Sequence, residues 1–220
     1  GFSVSPRVGD QLRAAARAGE TLVHVVSDGR LYEGEVDLLT GILQGREERE
    51  VWLMAHLYEP LADDNSSGVI SALEIARVLR KLIEAGELQP PRFTLRLVFG
   101  MEMYGFAAYC DHRGGYLRDQ VIGALNLDGF PIVQPNAKVW LAPGGSPFFG
   151  DYLMEEVVHS CGKQTKLQLE VREEGSYSDD MFLNDPTTGV ATVWMLGPGE
   201  LWHNSAQDMS LINPELFRDS

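Results

Sequence analysis

The feature that most constrains this chain is an amphipathic helix pattern lying between two strand patterns. The segment SSGVISALEIARVLRKLIEAG (66–86) carries apolar residues at helical spacing. These residues are Val69, Ile70, Leu73, Ala76, Leu79 and Ile83. The apolar runs EVWLMAHLY (50–58) and FTLRLVFGM (93–101) flank the helix, and both have the composition of strands. A strand–helix–strand unit of this kind predicts two parallel strands in one sheet.

The same alternation continues along the chain. Further strands are predicted at 21–27, 35–43, 121–130, 138–143, 166–171 and 190–196. Helices are predicted at 104–113 and 146–162, with a helical turn at 178–185. We therefore expect an α/β fold, with a mostly parallel central sheet and helices on both faces.

Composition limits the function classes. The 220 residues suffice for a domain with a sizeable core, and the net charge of −14 argues against a nucleic-acid partner. The sequence contains no run of about 18 apolar residues, so no membrane span is predicted. The chain opens on Gly1 without a signal sequence, which indicates a soluble fragment and favours the cytoplasm. The oligomeric state stays open.

Metal-capable side chains follow several predicted strands. His56 follows VWLMA near the end of the strand at 50–58, and Asp64 comes after that strand. Glu102 follows 93–101, Asp128 lies at the end of 121–130, and His203 follows 190–196. Because open α/β sheets bind ligands at the carboxyl ends of their strands, we expect these side chains to share one edge. Imidazole and carboxylate are ligands of zinc-like ions, and two ions sharing a carboxylate would activate a water.

Each of these residues also has an ordinary explanation when it is considered alone. His56 is explained as a strand-end histidine, Asp64 as a helix cap or turn former, and Asp128 as part of a turn. Glu102 is explained as a surface residue and His203 as a packing residue. The metal hypothesis depends on all five falling at strand ends.

Three segments resemble the zinc-dependent aminopeptidases that have a co-catalytic two-metal site. The segments are AHLYEPLADDNSSG, ALNLDGF and ELWHNSAQD. This family includes bacterial leucine aminopeptidases, glutamate carboxypeptidase and glutaminyl cyclases, and the likeness runs from about residue 35 to 210. It implies a zinc-exopeptidase-like three-layer sandwich, His56, Asp128 and His203 as ligands, and Asp64 as the bridge between metals. It also implies a cis peptide bond between Asp64 and Asn65.

The chain departs from this family at FGMEMYGF (99–106), where the family has two consecutive glutamates, a general base and a metal ligand. Only Glu102 is present, so it is either the base or a ligand, and we favour the base. Glu59 and Asp63 are possible replacements for the base. The segment YSDDMF (177–182) resembles a family segment with a histidine where this chain has Asp180, which implies a supporting or substrate-facing role.

The resemblance implies a metal-dependent hydrolase, specifically an aminopeptidase that cleaves N-terminal residues from peptides with a metal-activated water. The alternatives are a single-zinc amidohydrolase or cyclotransferase on the same fold, acting on a small amide, and a non-catalytic relative that binds metal or peptide. One or two zinc ions are expected, and cobalt or manganese would also suit the ligands. Residues 1–30 resemble the tail of an accessory domain, and 31–220 the catalytic domain.

Overall fold

The computed structural model describes residues 2–59, 61–129, 138–142, 149–161, 168–171, 177–197, 203–204 and 206–215. Two compact units divide the chain, Gly1–Glu35 and Val36–Ser220. No helix in the described ranges is long and apolar enough to cross a membrane. The assignment of residues 1–30 to an accessory domain stays a prediction.

The first unit contains one helix, α1 (Pro6–Ala18), whose first turn is capped by the Ser5 hydroxyl. The strand predicted at 21–27 is wrong, since these residues have no regular structure. Leu22 is 98% exposed and Val26 80% exposed. A β-branched run becomes a strand only where neighbouring strands or an apolar face pack against it, and this run has no such burial.

The second unit is built on a seven-stranded sheet. Its strands are β1 (Leu39–Leu43), β2 (Glu47–Leu57), β3 (Phe93–Met101), β4 (Val121–Asp128), β5 (Lys138–Ala142), β6 (Gln168–Val171) and β7 (Thr192–Leu196). The order is β1-β3-β2-β4-β7-β5-β6. Strands β3, β2, β4 and β7 are parallel, whereas β1 and β5 pair antiparallel with β3 and β7. The predicted mostly parallel sheet is confirmed.

Helices cover both faces of this sheet. They are α2 (Ser66–Glu84), α3 (Tyr104–Arg113), α4 (Gly115–Gln120), α5 (Phe149–Cys161) and α6 (Asp180–Asn184), followed by a 3-10 helix (Met209–Leu211). Alternate residues of β2 explain the two layers. Trp52 and Met54 pack with residues of α3, α4 and α6, whereas Leu53 and Ala55 pack with Ala72 of α2. The sequence did not predict α4.

Helix α2 forms as predicted, but its buried face is narrower. Asn65 caps it, and Gly86 just beyond its end has a φ of 76°, a conformation that glycine adopts without strain. Ile70 and Leu73, which belong to the apolar residues at helical spacing, are 51% and 49% exposed. The face that contacts the sheet is centred on Ala72, so these two side chains lie at its edge.

Strand register brings the candidate ligands to one level. Met54 of β2 pairs with Asn126 of β4 in a parallel arrangement. Two residues further along each strand are His56 and Asp128, which therefore end neighbouring strands at the same height and on the same face. The carboxyl edge of the sheet is thus where the candidate site forms.

Candidate metal centre

Asn65 fastens the loop that carries Asp64 to the end of β4. Its side-chain oxygen accepts hydrogen bonds from the amides of Gly68 (3.2 Å) and Gly129 (3.3 Å), and its amide nitrogen donates to the Leu127 carbonyl (2.9 Å). A side chain at Gly68 would collide with that carbonyl and with Asn65. The bond between Asp64 and Asn65 is cis, as the resemblance implied.

The first set of candidate ligands is His56, Asp64 and Asp128, and all three are buried. The His56 Nε2 atom lies 3.1 Å from Asp64 Oδ1 and 3.3 Å from Asp128 Oδ1. The other oxygen of Asp128 accepts a hydrogen bond from Trp194 Nε1 at 3.0 Å. Trp194 therefore orients the carboxylate so that one oxygen faces His56.

The electrostatics of this set depend on whether a cation is present. Burial favours the neutral imidazole, but hydrogen bonds to Asp128 and Asp64 outweigh burial and raise the pKa of His56 to about 11. A proton thus supplies the positive charge between the two carboxylates. A metal ion in this position would displace that proton, because a histidine ligand must be neutral at the coordinating nitrogen.

The second set is Glu59, Asp64 and His203. His203 Nε2 lies 3.4 Å from Asp64 Oδ2 and 3.9 Å from Glu59 Oε2. Asp64 thus faces His56 with one oxygen and His203 with the other. In each set the ligand atoms lie within 4.8 Å of one another. Burial, then the neighbouring Asp64 carboxylate, raise the pKa of Glu59.

These distances fit metal ions. Two ligand atoms on one tetrahedral zinc ion, with bonds of about 2.0–2.1 Å, lie about 3.3 Å apart. The three shortest distances between candidate ligand atoms, from 3.1 to 3.4 Å, lie on both sides of this 3.3 Å separation. The donors are also those that zinc binds, imidazole nitrogen and carboxylate oxygen. The side chains at this edge therefore could hold two cations that share Asp64.

Glu102 lies at the end of β3, half-buried and outside both sets of ligand atoms found among the described residues. Its charge is close enough to raise the pKa values of Glu59 and Asp179. Glu102 therefore lies within electrostatic range of Glu59, a member of the second set. Its role as base or ligand stays a prediction.

Asp179 connects the segment 177–182 to Glu102. It is fully buried, and its Oδ1 accepts a hydrogen bond from the Met103 amide at 2.7 Å. Met103 has a φ of 58°, which is strained for a non-glycine residue. Burial raises the pKa of Asp179 to about 8, although the Met103 amide and the charge of His56 lower it. Asp179 therefore fixes the backbone next to Glu102.

Asp63 adds another acidic side chain beneath the site. Burial and the charges of Asp64 and Asp128 raise its pKa to about 7. Its Oδ1 has no hydrogen-bond partner among the residues the structure describes. Asp180, which the sequence singled out, instead accepts hydrogen bonds from Ser178 and Asn184 within its own segment.

Sequence reasoning missed several residues of this site. It did not single out Asp179, Trp194 or Gln207, and it considered Glu59 only as a replacement base. Gln207 is buried and accepts a hydrogen bond from the Asp64 amide at 3.3 Å. The adjacent pair in YSDDMF was the available signal for Asp179, whereas Glu59 followed a predicted strand like the other ligands.

Comparisons with solved structures support the fold. A Bacillus subtilis zinc aminopeptidase, BSAP, has a TM-score of 0.66 and 18% identity, over 82% of this chain and 46% of that one. An aminopeptidase from Aneurinibacillus sp. strain AM-1 gives 0.62 and 16%, over 96% and 52%. A Macrostomum lignano glutaminyl cyclase gives 0.65 and 16%, over 84% and 67%. The chain spans about half the length of the two aminopeptidases.

No curated protein matches the chain by sequence. A family model does match, that of peptidase family M28, over residues 39–220. This match covers most of the chain and includes every candidate ligand. The chain therefore belongs to peptidase family M28.

Proposed function

We propose that this chain is the catalytic part of a zinc-dependent aminopeptidase that removes N-terminal residues from peptides. The observation that carries the proposal is the pair of ligand sets that share Asp64, one through each carboxylate oxygen. A carboxylate placed between two histidines in this way offers one oxygen to each ion of a two-metal hydrolytic site. Family membership and the zinc aminopeptidase neighbour support the same reading.

When bound, the ions supply Lewis acidity to the scissile carbonyl and lower the pKa of water. The chain's own residues do the remaining work. We assign proton transfer to the Glu102 carboxylate, which takes a proton from the attacking water and delivers it to the leaving amine. Asp179 holds the Met103 amide, which fixes the backbone that presents Glu102.

The test compares peptides that differ only at the N-terminus. Protein stripped with a chelator is expected to be inactive, and zinc is expected to restore cleavage of a free-amine peptide but not of its acetylated form. Glu102→Gln is expected to lose at least about 100-fold in kcat, the lower range of a general acid–base contribution, while keeping its zinc. Full activity of the zinc-loaded Glu102→Gln variant would remove this role, and no turnover over a broad peptide panel would contradict the proposal.

A second candidate is a single-zinc cyclotransferase that acts on N-terminal glutamine. The Macrostomum lignano glutaminyl cyclase neighbour favours it, as does the first ligand set, since three protein ligands suffice for one catalytic zinc ion. Mass spectrometry of a peptide with N-terminal glutamine discriminates the two reactions. Loss of ammonia with the peptide chain intact indicates cyclisation, whereas release of free glutamine indicates an aminopeptidase.

A further inference from the structure

The second ligand set raises the question of which carboxylate completes it. A catalytic zinc ion is held by three protein ligands and leaves one position open. His203 and Asp64 supply two ligand atoms, 3.4 Å apart. A third must come from a neighbouring side chain, and the two described glutamates near this edge are Glu59 and Glu102.

Glu59 is in position for this role. Its Oε2 lies 3.9 Å from His203 Nε2 and within 4.8 Å of the Asp64 ligand atom. That oxygen is shielded from solvent, and it has no hydrogen-bond partner in the described part of the chain. The Glu59 side chain as a whole is 27% exposed, but a shielded carboxylate oxygen is normally hydrogen-bonded, so one that faces a histidine and a second carboxylate is suited to a bound cation.

The backbone before Glu59 directs it towards the edge. Strand β2 ends at Leu57, and Tyr58 then has a φ of 73°, a left-handed conformation that costs free energy in a residue with a side chain. The Tyr58 hydroxyl donates a hydrogen bond to the Asp37 carbonyl at 3.2 Å, which holds this turn. His56 and Glu59 consequently reach the two ligand sets from the same strand end.

We propose that Glu59 is the third protein ligand of the second ion, and that Glu102 is left free to move protons. The inference rests on the proposed metal-dependent function. The segment FGMEMYGF lacks the second glutamate that serves as a metal ligand in the family. In this assignment Glu59, more than 40 positions earlier in the chain, supplies that ligand. The end of β2 then contributes a ligand to each ion, His56 to the first and Glu59 to the second.

The test measures metal binding rather than activity. Chelator-stripped wild-type chain and the variants Glu59→Gln, Glu59→Asp and Glu102→Gln are titrated with zinc by calorimetry, and bound zinc is measured by elemental analysis after dialysis. Glu48→Gln, at an exposed position on the same strand, is the matched control. Circular dichroism of each metal-free variant checks its fold.

Wild type, Glu48→Gln and Glu102→Gln are expected to bind two ions. Glu59→Gln is expected to keep the first ion and to lower the affinity for the second ion by more than about 100-fold. A loss of that size exceeds the effect of residues that only support a metal ligand through a hydrogen bond. Glu59→Asp keeps the charge but shortens the side chain by one methylene group, so it is also expected to lower the affinity for the second ion. Two ions bound at wild-type affinity by both Glu59 variants, or loss of the second ion in Glu102→Gln, would overturn the assignment.

The outcomes also separate this inference from the proposed function. A wild-type chain that binds one zinc ion and still cleaves peptides would overturn the role of Glu59 and leave the hydrolase intact. A chain that binds no zinc at all would overturn both.

Discussion

Strand β2 buries an ionisable side chain near each of its ends, and the two are accommodated in opposite ways. At its beginning, Glu50 accepts two hydrogen bonds from Arg96 (2.6 and 2.8 Å), one from Trp52 Nε1 (2.7 Å) and one from the Tyr116 hydroxyl (2.9 Å). One cation and two neutral donors thus satisfy one buried carboxylate. At this end the charge is balanced within the protein.

At the other end of β2, acids outnumber bases. His56 is surrounded by Asp64 and Asp128, with Asp63 and Asp179 nearby, and all five are buried. Asp63 and Asp179 each keep an oxygen with no hydrogen-bond partner among the residues described. Buried charge is costly unless it is compensated, so this excess of carboxylates requires compensation by protons or by a cation from outside the chain. The first end thus carries its own counter-ion, and the second is the end to which we assign metal binding.

Breaking the balanced end should have the largest effect on stability. Glu50→Ala leaves the largely buried Arg96 guanidinium without its counter-ion, so we expect the free energy of unfolding to fall by about 3 kcal/mol, the lower end of the range for a buried pair because Arg96 keeps some solvent contact. Urea unfolding measures this change. Glu47→Ala, which removes a carboxylate paired with Arg49 and Arg92 on the surface, is the control and should change stability far less.

Adding zinc should stabilise the protein through the end of β2 that carries His56, and not through the end that carries Glu50. Filling the first ligand set with zinc at about 100 times its dissociation constant there adds about 2.7 kcal/mol to stability, which raises the melting temperature of a chain this size by roughly 5–10 °C. Differential scanning calorimetry of stripped and zinc-loaded protein measures the shift. Asp128→Asn should abolish most of the contribution of this first ion, whereas Glu50→Gln should keep the whole shift. An equal shift in the Asp128 variant would remove Asp128 from the ligands.

Removing one acid from the second end should stabilise the metal-free protein. Asp63→Asn keeps the shape of the side chain and eliminates its repulsion with Asp64 and Asp128, so we expect a gain of about 1 kcal/mol in the unfolding free energy at pH 8. The same change at Glu50 should be destabilising. Urea unfolding in a chelator tests both variants, and a loss of stability in Asp63→Asn would show that the carboxylate is balanced within the protein.

The smallest predicted effect concerns acid. Burial alone would raise the pKa of Glu50, but the hydrogen bonds from Arg96, Trp52 and Tyr116 outweigh it and lower that pKa. The folded chain therefore binds fewer protons here than the unfolded chain, whose glutamates titrate near pH 4.3. Glu50 contributes its full stability above that pH and loses it as the pH falls through the folded value. The stability difference between wild type and Glu50→Gln should narrow from pH 6 to pH 3, and a constant difference would contradict this account.

The sequence predicted the parts of the molecule in which local pattern and burial agree. The apolar run of β2 and the periodicity of α2 are strong local signals. The parallel register of β2 and β4 then places His56 and Asp128 side by side at the ends of these strands. The run at 21–27 has the same local signal but no packing partner in the structure described, so it forms no strand. Pattern alone does not distinguish these two cases.

The candidate site was predictable where its residues lie at strand ends or in the loops that follow them. His56, Asp64, Asp128 and His203 fall into shared ligand sets as expected from their positions. Asp179 was missed because its contact with the Met103 amide joins segments 76 residues apart. Contacts of this kind are determined by the packing of α6 against the sheet and leave no local pattern.

The most direct test of the central claim is the zinc content of the purified chain after chelator treatment and reconstitution, measured by elemental analysis. The account predicts two zinc ions per chain, one for each ligand set that shares Asp64. A reconstituted, folded chain that retains no zinc would contradict it, because the buried carboxylates at the end of β2 would then need another explanation.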